Sequence, residues 1–199
     1  MLLLDPTFQD HLQHLDLEVL ETSADPTYAV DRRYVIRAAN PAYLGFGRDN
    51  GLADVDTSAG LGCSLLDAMG EPAREFYHHA FAAALESGEP FHHDYECSSP
   101  DLFRLFRLSA YPLPTSAGLL ISHHLTHERA HDRPTTEPGP QHVSPDGVVS
   151  QCCHCRKVRN WAAPESWDWV PALVATMDPR TSHTFCDGCL RHYYRDVLE

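Results

Sequence analysis

Apolar side chains at Phe8, Leu12, Leu15, Leu17 and Leu20 recur at about one helical turn while Asp10, Asp16 and Glu21 fall elsewhere, which predicts an amphipathic helix from about Pro6 to Thr22. Such a stripe needs an apolar partner, either the sheet that follows or a second copy of the chain. After a polar break at Ser23–Pro26, Tyr28–Val30 and Tyr34–Ala38 read as two short strands turned at Asp31 and Arg32. Asn40 stands where a side chain fixes a strand exit by bonding nearby backbone. Pro41–Phe46 follows as a short helix. The loop Gly47–Gly60 suits a pocket lid or a surface excursion, and Leu65–Met69 suits a further helical turn. Glu71–Glu86 reads as a helix with Phe76, Phe81 and Leu85 inward and Gly88 ending it. Alternation then marks three strands at Phe91–Cys97, Phe103–Tyr111 and Leu119–Leu125. The sum is an α+β fold, a five-stranded antiparallel sheet with flanking helices that leave a pocket between them.

The strand pattern ends near Arg129, and Pro134, Pro138, Pro140 and Pro145 make residues 129–147 an expected extended linker. Beyond it the chemistry changes. Cys152 and Cys155 form one Cys-x-x-Cys pair, and Cys186 and Cys189 form another. Two such pairs can point four thiolates at one soft divalent ion, and a four-thiolate zinc site has no open position, so its ordinary work is structural. The predicted metal ligands are therefore Cys152, Cys155, Cys186 and Cys189, with zinc as the cofactor. Cys153, His154 and His183 are the competing donors nearby, with His183 favoured as a group that hydrogen-bonds a ligand. Trp161, Trp167, Trp169, Val170, Pro171, Leu173 and Val174 supply the apolar cover that so small a module needs. Arg156, Lys157, Arg159 and Arg191 offset the negative charge of the site.

Charge and cysteine usage narrow the setting. Of a net charge of −13, nearly all lies before residue 148, where 22 acidic side chains face 9 basic ones; the remainder carries six of each. Attraction of the larger domain to nucleic acid is therefore not indicated. Seven cysteines without a secretory leader point to a reducing cytoplasm rather than a disulfide scaffold. No apolar run is long enough to cross a membrane, so no membrane partner is expected.

Ala24-Asp25-Pro26, Ala29-Val30-Asp31, Ile36, Ala38-Ala39-Asn40-Pro41-Ala42-Tyr43, Gly62 before Leu65-Leu66 and the final three strands together resemble a PAS domain over about residues 17–128. The resemblance implies sensing, dimerisation or signal relay, with haem, flavin or an unidentified small ligand in the pocket. Gly60–Asp67 resembles the flavin-reactive segment of PAS photosensors, but Gly62, Ser64 and Asp67 replace its asparagine, arginine and glutamine. Cys63 is accordingly read as a small buried residue. For haem, His93 is the best-placed donor among His78, His79, His92, His93, His123 and His124, with Cys97 a second ambiguous residue and Arg104 or Arg107 suited to an anionic ligand or to Asp94 and Glu96.

The tail, through Cys152–Arg159, Trp167-Asp168-Trp169-Val170-Pro171 and Ser182–Cys189, resembles a small cysteine-containing domain that follows PAS and other signalling domains in bacterial proteins; Thr184 stands where that domain has glycine. The resemblance implies a zinc-supported interaction surface. Four segments are thus expected: an N-terminal helical extension (1–16), a PAS-like sensor (17–128), the linker (129–147) and the cysteine module (148–199). The function they predict is that of a cytoplasmic bacterial signalling adaptor, a homodimer whose partner is another signalling protein, and not an enzyme. A haem-based redox or gas sensor is the alternative. Thiol chemistry at Cys63 or in the tail is a further one, without an evident base or oxyanion-stabilising set.

Overall fold

A computed structural model of the chain describes residues 1–49 and 60–194. Residues 50–59 of the expected Gly47–Gly60 loop lie outside the described residues. The chain divides into two compact units, Met1–His93 with Arg107–His124, and Asp94–Phe106 with Leu125–Glu199.

The sheet has six strands rather than the five expected, in the order β1-β3-β2-β6-β5-β4. They are β1 (Leu3–Leu4), β2 (Thr27–Asp31), β3 (Ile36–Ala39), β4 (Phe91–Glu96), β5 (Leu102–Pro112) and β6 (Gly118–Ala130). The added strand pairs Leu3 with Ala39 and Leu4 with Ala38, antiparallel. Two residues carry too little pattern to be read as a strand. What holds them is charge: Arg37 on β3 reaches Asp5 at 2.8 Å and Asp31 at 2.7 Å. The β2–β6 register sets Asp31 opposite Gly118. A Cβ on Gly118 would lie 1.9 Å from the carbonyl oxygen of Val30, so glycine alone permits this closeness.

The predicted N-terminal helix is instead two pieces, a 3-10 turn at Pro6–His11 and α1 at Leu17–Thr22. Asp16 is the reason: its carboxylate accepts from the backbone N–H groups of Glu18 and Val19 and begins a new helix there. The stripe nonetheless finds its partner within the unit, since Phe8 and Leu12 are buried against Ala29, Ala38 and Leu113.

Helix α2 (Pro41–Asp49) is entered through Asn40, 1% exposed. Its Oδ1 accepts from Thr27 N (3.0 Å) and Tyr43 N (2.9 Å), and its Nδ2 donates to Asp25 O (2.9 Å). The structural role expected of this residue is thus filled on both sides of the amide. Helix α3 (Ala73–Ser87) ends at Gly88, whose φ of 75° is the left-handed cap that glycine adopts without strain. Phe81, fully buried, meets Tyr34, Tyr77 and Phe91 at ring-centre distances of 6.0, 5.5 and 6.1 Å. Aromatic rings therefore fill the space between α3 and the sheet.

The second unit carries a smaller sheet in the order β10-β7-β8-β9: β7 (Val149–Cys152), β8 (Val158–Arg159), β9 (Trp167–Asp168) and β10 (Thr181–Thr184). Strand β10 lies parallel to β7, with Thr184 opposite Cys152. Val149, Val158 and Val170 form its core, with Leu173 packed beside them. Helices α4 (Pro171–Ala175) and α5 (Asp187–Tyr193) complete it. Residues 129–147, expected as a linker, carry specific contacts. Thr136 N donates to Trp169 O at 2.8 Å, and the buried His142 ring lies 3.1 Å from the Asp168 carboxylate. Prolines here shape a packed path, including the 3-10 turn Pro140–His142.

Candidate metal centre

The first cysteine pair sits on a turn between β7 and β8. Cys152 N donates to Lys157 O at 2.8 Å and Arg156 N to Cys152 O at 3.2 Å, closing the chain on itself around Cys155. Arg156 takes a φ of 60°, the left-handed step that such a reversal requires. The second pair opens helix α5: Cys186 is its N-cap, and its sulfur accepts from Cys189 N at 3.4 Å. Parallel pairing of β10 with β7 brings the two ends together.

The sulfurs of Cys152, Cys155, Cys186 and Cys189 all lie within 4.8 Å of one another, and all four residues are buried. Cys155 Sγ is 3.7 Å from Cys186 Sγ. A tetrahedral zinc site with bonds of about 2.3 Å has sulfur–sulfur edges of roughly 3.8 Å, so the spacing and the donor chemistry both fit that ion. Hydrogen bonding among the thiols pulls Cys152 and Cys186 below the usual thiol range and pushes Cys155 and Cys189 above it. The four thiols titrate as one group, and a soft cation bound among them would displace whatever protons the group holds. Trp167 and Tyr193 pack against the cluster.

The competing donors stand outside this set. Cys153 turns its backbone N–H to Thr184 O at 2.7 Å, and burial pushes its thiol up to about 11. His183 lies on β10 and is exposed, yet partial loss of solvent around its ring, with the charge of Arg156, lowers its pKa. His154 is buried, and both ring nitrogens are used. Nδ1 lies 3.2 Å from the carbonyl oxygen of Glu96, which can only accept, so Nδ1 carries the proton. Nε2 then accepts from the Tyr194 hydroxyl at 2.6 Å, leaving no lone pair for a metal. Tyr194 is 1% exposed.

Arg133 and Tyr194 are residues of this neighbourhood that the sequence pattern did not single out, and from sequence Glu96 is expected only as a partner for Arg104 or Arg107. Glu96, 5% exposed, pairs with Arg133 rather than with Arg104 or Arg107: Arg133 Nη2 donates to its two carboxylate oxygens at 2.8 and 3.0 Å. Ser98 Oγ donates to the same carboxylate. Arg133 Nη1 donates to Cys155 O at 2.9 Å. Among the four cations expected to offset the site, Arg159 instead lies over the Trp161 ring at 4.6 Å.

The histidines of the first unit have separate occupations. His92 Nδ1 meets Ser109 Oγ at 2.9 Å, His123 Nε2 meets Tyr28 Oη at 3.2 Å, and His124 meets Asp25 at 3.0 Å. Burial lowers the pKa of His123 to about 4. His93 stacks on Phe91, 6.3 Å between ring centres, and lies 4.9 Å from Phe76. Cys63 is half-buried. An open groove of about 520 Å³ is lined by Arg33, Ser64, Asp67, Glu71, Arg74 and His78, a mixed-charge surface. Among the described residues, no helix is long and apolar enough to cross a membrane.

The family model described as the PAS fold matches residues 20–130. No curated protein matches the chain. Similar solved structures include the following three. The phage VqmA–DPO complex is 16% identical with a TM-score of 0.41, over 59% of this chain and 53% of that one. A domain of an HTR-like protein from Haloarcula marismortui ATCC 43049 is 18% identical with a TM-score of 0.39, over 53% of this chain and 100% of that one. The Vibrio cholera VqmA–ligand–DNA complex is 17% identical with a TM-score of 0.42, over 56% and 51%. The chain thus spans about half the length of the two VqmA chains. One partner expectation is corrected here: net charge gave no indication of nucleic acid, yet a protein in this group is a DNA complex. A domain's net charge averages over surfaces that bind locally, so it cannot decide this partner.

Proposed function

The chain belongs to the PAS-fold family, and on that premise we propose that it is a cytoplasmic regulatory protein in which a PAS sensor is joined to a zinc-stabilised interaction module. Cys152, Cys155, Cys186 and Cys189 hold one zinc ion per chain in this reading. The observation that carries it is the convergence of four buried sulfurs within 4.8 Å. Four thiolates leave the ion no position for water or substrate, which assigns the module to building a partner surface rather than to turnover. On the sensor side, the aromatic layer of Tyr34, Tyr77, Phe81 and Phe91 is closely packed, so a small ligand would meet the open groove lined by Arg33, Ser64, Asp67, Glu71, Arg74 and His78.

The test is metal content and absorption of the chain purified under reducing, metal-controlled conditions. One zinc per chain without a visible chromophore is expected. Iron with a haem spectrum, or a metal-free chain after zinc supplementation, would overturn the reading.

A further inference from the structure

Glu96 closes strand β4, inside the span that matches the PAS family, yet residues far along the chain hold both its backbone and its side chain. Arg133 grips the carboxylate, and the His154 ring takes the carbonyl at 3.2 Å. The same guanidinium donates to the carbonyl of Cys155 at 2.9 Å. Two consecutive residues of the first Cys-x-x-Cys turn are therefore tied to one residue of the sheet. The pair is well shielded, with side-chain exposures of 7% for Glu96 and 17% for Arg133. Removing one member of a buried charge pair leaves the other unsatisfied, and groups bonded to a ligand residue set how well that ligand is presented.

We propose that the Glu96–Arg133 pair is a latch that couples the end of strand β4 to metal occupancy of the cysteine turn. It rests on the reading that the four cysteines hold zinc. A loaded turn fixes the Cys155 carbonyl and, through Arg133, Glu96; displacement of Glu96 releases Arg133 and loosens the turn. The coupling is reciprocal by thermodynamic necessity. Arg129 provides the contrast, because its guanidinium lies over Phe103 at 4.7 Å and pairs with Asp132 at 3.0 Å.

The experiment follows zinc release from the full chain into a chromogenic chelator. Arg133→Met and Glu96→Gln are expected to release zinc about tenfold faster or more, the scale set by outer-shell changes at metal sites. The double variant is expected to be no faster than the quicker single, and Arg129→Met to match the parent. In the parent, chelation is expected to accelerate hydrogen exchange at the Cys97 amide, bonded to Arg104 O at 3.0 Å, while amides of β2 keep their rates. Should Arg133→Met fail to fold, the nearly isosteric Glu96→Gln carries the test. A zinc-loaded parent whose variants all release at the parental rate would overturn the latch and leave the zinc site standing. A parent that binds no zinc would overturn both.

Discussion

Replacing Cys186 with serine removes one of four sulfurs from a buried cluster while keeping a hydroxyl that can cap the helix by accepting from Cys189 N. The size of the effect follows from what else holds the module together. Its apolar core is Val149, Val158 and Val170, at 1%, 0% and 0% exposure. At about 1.5–3 kcal/mol for each fully buried valine, the three contribute roughly 5–9 kcal/mol. A structural zinc ion contributes about 10–16 kcal/mol at neutral pH. Metal therefore outweighs the valine core, and losing it unfolds the module. The readout is built into the sequence: all three tryptophans, Trp161, Trp167 and Trp169, lie in this module, and Trp169 is 2% exposed. Cys186→Ser is expected to fall from one zinc per chain to almost none and to shift tryptophan emission to the red. A separate transition of the first unit, followed by far-ultraviolet circular dichroism, should survive. Cys153→Ser is the matched control and should keep its zinc. Parental metal content in Cys186→Ser would refute the reasoning.

Three further outcomes are expected. His154→Phe removes the hydrogen bonds to the Tyr194 hydroxyl and the Glu96 carbonyl, a cost of about 1–3 kcal/mol in urea unfolding followed by tryptophan fluorescence; a change near zero would count against those two bonds. Burial depresses the pKa of His123 to about 4 from 6.5, so the unfolded chain binds more protons between those values. The first unit should then lose up to about 3 kcal/mol as pH falls through that window, with the contribution complete above it, and His123→Gln should flatten the slope. Phe81→Ala empties the ring layer between α3 and the sheet and should cost about 3–5 kcal/mol in the first unit, with zinc content unchanged by elemental analysis.

Period alone located most of the larger fold. Strands expected at Tyr28–Val30, Phe91–Cys97 and Phe103–Tyr111 occur at Thr27–Asp31, Phe91–Glu96 and Leu102–Pro112. Phe91–Glu96 alternates, Thr27–Asp31 is buried along most of its length, and all three are bounded by turn residues, so local pattern and tertiary demand agree. Strand β1 and the break before α1 escaped because two residues show no period and because a carboxylate at Asp16 outcompetes an apolar stripe for the backbone. The cysteine cluster was legible because spacing is itself the geometry of a two-ligand turn. The hydrogen bonds from Arg133 and His154 were not. They span 37 and 58 residues, and nothing in a sequence pairs an arginine after β6 with a glutamate at the end of β4. Residues 129–147 show a related limit: proline marks the end of a ladder but does not say whether the chain then packs.

The parallel pairing of β10 with β7 also sets an order of events in synthesis. The turn carrying Cys152 and Cys155 leaves the ribosome about 30 residues before Cys186, several seconds at the slower rates of translation. During that interval it offers the sulfurs of Cys152, Cys153 and Cys155 but neither Cys186 nor Cys189, so the four-sulfur set is incomplete. The strand that completes the small sheet and the cysteines that complete the coordination arrive together, so the module cannot mature from its amino-terminal side. A nascent chain halted between the two pairs would leave the first pair open to metal scavengers and oxidants, with the second pair not yet made.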